Sequence, residues 1–269
     1  MPVDHYENFP VASLLLPAHL REPVAAIYAF ARSADDIADE GSASSVERLR
    51  ALDRYRSHLD DIAAGRPSID PQFARLRQAI RMHALPLGPF YDLLDAFSQD
   101  VIKLRYRSFA ELIDYCRRSA DPVGRLLLHL YGAATAQNLP RSDAICTSLQ
   151  LINFWQDVAI DWQKGRVYLP QDELTRFGVS EAQIAEGRCD AAWQQLMQFQ
   201  IIRARTMMHD GAPLGRALPG RIGLELRTII AGGLRILDKL ERVRGDVFRR
   251  RPVLAALDWP LLLWRAALS

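Results

Sequence analysis

Residues 149–161 wrap apolar side chains around most of a helix and interrupt them with a single polar stripe. Leu151, Ile152, Phe154, Trp155, Val158 and Ile160 fill most of the circumference, while Gln150, Asn153, Asp157 and Asp161 share a narrow arc. Such a helix belongs in the middle of a bundle, where its stripe faces an internal cavity. The plain alternative is an edge helix with a hydrated stripe; the apolar opposite face argues against it. A carboxylate withdrawn from water is costly unless it is paired or bound to metal.

A second segment repeats the pattern. At about 100° per residue, Tyr28, Arg32, Asp35, Asp36 and Asp39 fall near one face of a helix whose other positions are small and apolar. These aspartates sit at the C-terminal end, where the helix dipole disfavours each by about 0.3–1 kcal/mol. Arg32 is one local partner, and a solvated ion-paired face is the plain alternative. A bound cation is the other compensation.

The rest of the chain is helical in its spacing, with no sustained alternation of period two. A helix is predicted from Pro23 to about Glu40, followed by others over 46–64, 72–84, 87–104, 108–119, 122–138, 141–162, 180–186, 188–210 and 221–244. Gly165 to Pro170 reads as a loop, and the apolar segment 253–267 is broken by Pro260. No repeat or low-complexity linker divides the chain. The expected fold class is therefore all-α, a single domain over residues 1–269 built as a helical bundle around a central apolar cavity.

Apolar residues make up 49% of the chain, enough for a sizeable core, and the formal net charge is only +2. That balance excludes the basic excess of a nucleic-acid binder, so no nucleic-acid partner is expected. Cys116, Cys146 and Cys189 match no metal spacing and read as reduced thiols. The first residues lack a signal-peptide pattern, and no apolar run reaches the roughly 18 residues of a membrane span. The expectation is a cytoplasmic protein, soluble or peripheral at the inner membrane surface.

Five aspartates around one cavity repel: like charges about 4 Å apart interact by about 4 kcal/mol at an effective dielectric of about 20. Divalent cations relieve this, and oxygen ligands without His or Cys favour Mg2+, with Mn2+ as the substitute. Magnesium keeps waters and is shared with substrate phosphates, so a diphosphate in an apolar cavity is the natural substrate class. No Gly-rich dinucleotide fingerprint follows a strand, and no NAD(P)H is expected.

At these residues the sequence resembles the squalene/phytoene synthase family. Asp35-Asp36-x-x-Asp39 is similar to its first aspartate motif, with Tyr28 and Arg32 as the Tyr-x-x-x-Arg lead-in. Asp157-x-x-x-Asp161, preceded by Gln150 and Asn153, is similar to the second. Tyr115-Cys116 with Val123-Gly124, and Gly165-Arg166 with Tyr168 and Pro170, resemble two further signatures. The resemblance runs from about His5 to Arg251. Within the family, His5-Tyr6-Glu7-Asn8-Phe9-Pro10 and Asn153-Phe154-Trp155-Gln156-Asp157 look most like the hydroxysqualene synthases of hopanoid biosynthesis. Three departures stand out. Gln156 replaces an arginine common in the family, Asn8-Phe9 replaces Ser-Phe, and Gly232-Gly233 stands where a tyrosine is frequent. They suit an enzyme that receives one already condensed diphosphate.

That resemblance implies conversion of presqualene diphosphate and water to hydroxysqualene and diphosphate. It implies Asp35, Asp39, Asn153, Asp157 and Asp161 as metal ligands, with Asp36 in support. Arg32 and Arg166 would neutralise the diphosphate, and Tyr28, Gln150, Asn8 and Phe9 would line the substrate site. Tyr115 would stabilise positive charge through its ring or orient the attacking water. Functional coupling to a presqualene diphosphate synthase and a hydroxysqualene reductase follows. The competing readings are a head-to-head condensing synthase and a non-catalytic scaffold of the same fold. At the tail, Arg249-Arg250-Arg251 beside Trp259, Trp264 and several leucines suits a membrane interface, over 252–269. A C-terminal helix packed on the bundle is the equal alternative.

Overall fold

The computed structural model describes residues 16–268; Asn8 and Phe9 lie outside the described residues. In chain order the helices are α1 (Ala18–Asp39), α2 (Ser45–Ala63), α3 (Pro71–His83), α4 (Gly88–Asp100), α5 (Phe109–Ser119), α6 (Asp121–Leu130) and α7 (Asn138–Gln163). They continue as α8 (Gln171–Phe177), α9 (Glu181–Ala185), α10 (Ala191–Gly211), α11 (Leu214–Ala217), α12 (Gly220–Arg242) and α13 (Asp258–Leu268). The fold is all-α. Among the described residues the β-pairing is one isolated bridge, Arg105 with Val167.

Local chemistry sets many of the boundaries. Ser44 and Glu47 form a capping box at α2, Asp70 caps α3 ahead of Pro71, and Ser108, Ser180 and Asp190 cap α5, α9 and α10. Some expected boundaries shift. Helix α1 starts behind Pro17, so Pro23 lies inside the helix and does not begin it; it removes one donor and crowds the carbonyl of His19. Helix α6 ends at Leu130, well short of 138, because Gly132 turns the chain at φ +65°. Helix α4 ends at Asp100, not near 104. Pro260 sits in the first turn of α13, where a missing N–H costs nothing, so it starts that helix and does not break it. The short helices α8 and α11 have no clear periodic signature in the sequence.

Two apolar clusters hold the bundle together. One gathers α1 to α4, with Phe30 edge-on to Phe73 and Phe90 at 6.2 and 5.4 Å between ring centroids. The other surrounds α7, which packs against α5, α6, α10 and α12. Helix α7 has 26 residues and spans about 39 Å. It is the central rod that the sequence pattern requires, with Leu151, Trp155 and Ser148 fully buried. Ser148 Oγ donates to the Ala204 carbonyl of α10 at 2.7 Å, which satisfies a hydroxyl in an otherwise apolar contact.

Candidate active site

Helices α1, α6, α7 and α12 enclose a largely apolar cavity of about 450 Å³, within the range of small-molecule sites. Ile27, Val123, Leu127, Ile145, Leu149 and Ile229 are among its walls. Tyr28, Gln150 and Asn153 contribute to its polar lining, as the stripes on α1 and α7 predict, and Glu225, Ser119 and Ser142 add to it. The aspartates continue both stripes toward the C-terminal ends of their helices.

The two acidic motifs are brought together by the turn after α7. Gly165 adopts φ +75°, which reverses the chain, and the Arg166 amide bonds back to the Asp161 carbonyl at 2.8 Å. The reversal delivers Arg166 to α1. Its two terminal nitrogens lie 2.9 and 2.7 Å from the two carboxylate oxygens of Asp39. Lys164 adds a second cation 3.5 Å from Asp39. On α1 itself, Arg32 pairs with Asp35 at 3.2 Å and with Asp36 at 2.8 Å. Arg251, beyond α12, forks onto both oxygens of Asp157.

The repulsion expected among five aspartates is therefore balanced in large part by the protein's own cations. The balance is uneven. Burial tends to raise the Asp39 carboxyl, but Arg166 and Lys164 overcome that and hold it below the usual carboxylate range. Burial and the neighbouring Asp39 push Asp35 up to about 6 despite Arg32. Burial and Asp157 push Asp161 up to about 7. These two carboxylates still gain from a further positive charge.

Among the described residues no group of three His, Cys, Asp or Glu converges on one ion position. The donor set instead offers oxygen ligands in ones and twos from facing helices. Magnesium is commonly bound in that way, completing its shell with water and substrate phosphates. Asp35, Asp39, Asn153, Asp157 and Asp161 fit an ion shared with a diphosphate, not a preformed cage.

Tyr115 lies beneath this acidic end, buried, and its hydroxyl donates to Asp100 Oδ2 at 2.7 Å. Its ring packs with Tyr106, Phe154 and Tyr168, and Phe154 stacks on Tyr168 with centroids 3.8 Å apart. Burial and Asp100 raise the Tyr115 hydroxyl, which stays protonated.

Sequence reasoning missed Arg251, Lys164 and Asp100. With its neighbours, Arg251 reads in the sequence either as part of a membrane interface or as the basic shoulder of a packed C-terminal helix; its side chain is 16% exposed and turned onto Asp157, whereas that of Arg249 is 88% exposed. Gln156, flagged as a substitution, is buried and donates to the Pro252 carbonyl. Gly233 brings α12 close to α7: a Cβ there would meet Met208 Cε at 2.7 Å and Leu149 Cδ2 at 3.1 Å.

A match to the squalene/phytoene synthase family covers residues 3–258. Hydroxysqualene synthase of Rhodopseudomonas palustris is 37% identical over 87% of this chain and 80% of its own length. Phytoene synthase of Arthrospira platensis is 34% identical over 91% of this chain and 83% of its own. The crystal structure of a squalene synthase from Alicyclobacillus acidocaldarius superposes with a TM-score of 0.83 at 37% identity, covering 89% of this chain and 90% of that one. With the apolar cavity and the paired aspartate motifs in place, the chain belongs to the squalene/phytoene synthase family.

Proposed function

We propose that this enzyme converts presqualene diphosphate and water to hydroxysqualene and diphosphate, using magnesium, or manganese in its place. The observation that carries the reading is Gln156. A neutral side chain, 1% exposed and bonded to the Pro252 carbonyl, stands where many family members present an arginine. On the family resemblance, a substrate phosphate would lose a bidentate cationic contact at this position. That suits a site for one condensed diphosphate better than a site for two. No nicotinamide cofactor takes part.

In this reading Asp35, Asp39, Asn153, Asp157 and Asp161 hold the metal, with Asp36 keeping Arg32 in register. Magnesium held there would supply Lewis-acid charge to the leaving diphosphate. Arg32 and Arg166 exchange carboxylate for diphosphate oxygens, and Tyr28 and Gln150 orient the head of the substrate. Asn8 and Phe9 are assigned to the substrate site by the family resemblance alone. The apolar walls hold the hydrocarbon and keep bulk water from the cation, and Tyr115 stabilises positive charge beside it.

The product is a thirty-carbon lipid, which suits a cytoplasmic enzyme peripheral to the inner membrane. Leu257, Leu263 and Trp264 are exposed, as are Arg249, Arg250 and Arg265 in the same C-terminal stretch. Flotation with anionic liposomes tests this: Leu263→Ser with Trp264→Ser abolishes binding, and unchanged binding rejects the contact. The substrate would come from a presqualene diphosphate synthase, and the product would pass to a hydroxysqualene reductase.

The deciding experiment is incubation with presqualene diphosphate and magnesium, without nicotinamide, read by mass spectrometry. Hydroxysqualene that vanishes in Asp157→Asn supports the reading. Condensation of farnesyl diphosphate with no turnover of presqualene diphosphate moves the assignment to a head-to-head condensing synthase. No reaction with either leaves a scaffold.

A further inference from the structure

Asp100 closes α4 with its carboxylate inside the protein, 6% exposed. A helix C-terminus is the wrong end for an acid, since the dipole there is negative. One oxygen accepts the Tyr115 hydroxyl at 2.7 Å. The other, Oδ1, is buried with no hydrogen-bond partner among the described residues. A buried acceptor left over in this way is destabilising, and at a functional site it marks capacity held for something transient.

The surroundings connect this carboxylate to the reaction centre. Arg166 bonds the Asp100 carbonyl at 3.0 Å while forking onto Asp39, so the end of α4 is fixed relative to the first acidic motif. On α5, Ser119 is one helical turn beyond Tyr115, and Ser119 and Ala120 line the cavity. Phe154, which packs against the Tyr115 ring, follows Asn153 of the lining. The dyad thus lies one residue layer behind the cavity wall, next to the acidic end. The titratable and charged groups facing Asp100 are Tyr115 on α5, Tyr106 and Tyr168 in the flanking loops, Arg166, and Asp35 and Asp39 on α1.

We propose that Asp100 is a positioning residue for water capture: it holds the Tyr115 phenol by its hydrogen and takes, through that phenol, the proton the captured water releases. This rests on the hydroxysqualene reading. The balance is closed. The carbon–oxygen bond to diphosphate breaks and its electron pair leaves with the diphosphate. A new carbon–oxygen bond forms from water to the carbon cation. One water proton passes to Tyr115 Oη as the phenol's own proton passes to Asp100 Oδ2, and solvent receives it on product release. Burial supports the assignment, since it pushes the Asp100 carboxyl up to about 7, even against the Tyr115 hydrogen bond, into the range of an effective base.

The test reads partition, not rate. Presqualene diphosphate and magnesium are supplied to the full chain. Released diphosphate counts ionisations, and the ratio of hydroxysqualene to thirty-carbon hydrocarbons reports the fate of the cation. Asp100→Asn lowers that ratio by about a hundredfold while diphosphate release persists. Tyr115→Phe lowers it similarly, and the double variant lowers it no further. In the wild type the ratio falls as pH drops through about 7, because a protonated Asp100 takes no proton. The aspartates of the two motifs act on ionisation and leave the ratio alone. An unchanged ratio in Asp100→Asn overturns the proposal while the function stands. Should that variant fail to fold, a ratio flat with pH in the wild type overturns it equally. Absence of hydroxysqualene from the wild type overturns both the proposal and the reading beneath it.

Discussion

Arg166 forks onto Asp39 at 2.9 and 2.7 Å across 127 residues of chain. With Arg32 on Asp35 and Asp36, and Arg251 on Asp157, it gives each acidic motif an internal counter-charge. The fold therefore does not depend on metal to hold its aspartates together. Removal of divalent cations with a chelator is expected to stop turnover of presqualene diphosphate. Helical content by circular dichroism and the urea midpoint are expected to stay near their starting values. A collapse of the midpoint would show that the arginines are insufficient.

Asp121, at the start of α6, is 3% exposed and accepts Thr147 Oγ1 at 2.8 Å. Burial pushes its carboxyl up to about 7 despite that hydrogen bond. The folded value lies above the unfolded one of about 3.9. Its contribution to stability is thus fully present below about 3.9 and is lost as pH rises toward about 7. Asp121→Asn keeps an acceptor for Thr147 and removes the charge. The variant should match the wild type near pH ~4 and exceed it near pH ~8 in urea midpoint.

Gly124 lets α6 approach α7. A Cβ added there would collide with Ser142 Oγ and lie 2.6 Å from Cys146 Sγ. Gly124→Ala is expected to destabilise the protein by about 1–3 kcal/mol through overpacking. Adding Ser142→Ala, which removes the first obstacle, should restore part of that loss in denaturant unfolding.

Asp258 pins α13 to α12. Arg235 Nε is 2.8 Å from one oxygen, Lys239 engages the other, and the Ala255 amide donates at 2.7 Å. Burial opposes ionisation, but Lys239, Ala255 and Arg235 together hold the carboxyl well below the usual range. A depressed folded value stabilises above about 3.9, and the contribution disappears as pH falls toward the folded value. Hydrogen exchange should show α13 opening first on acidification. In Asp258→Asn the helix should be loose at neutral pH and insensitive to acid.

Much of the site was legible because stripes on helices leave a periodic trace. Tyr28, Gln150 and Asn153 line the cavity as their spacing implies, and Trp155 is buried on the opposite face of α7. The counter-ions were not legible. The partners Asp157 and Arg251 are 94 residues apart, and no local pattern encodes a contact between segments. The run Arg249-Arg250-Arg251 hides that its last member turns inward. Asp100 carried no such signal, because the spacing extends that helix to 104; only its observed end at Asp100 brings the dipole argument of Asp39 to bear. Pro23 and Pro260 misled because proline reports where a helix tolerates a missing donor, not which side of it the helix lies on.

The Arg251–Asp157 fork also has a consequence for biosynthesis. Translation proceeds at roughly 5–20 residues per second, so Asp157 is made about 5–20 s before its partner. During that interval the central rod of the bundle carries an acid whose counter-charge does not yet exist. Chaperone demand and vulnerability to proteolysis should therefore be concentrated late in synthesis, and ribosomes stalled just before Arg251 should hold a nascent chain that is helical but still open.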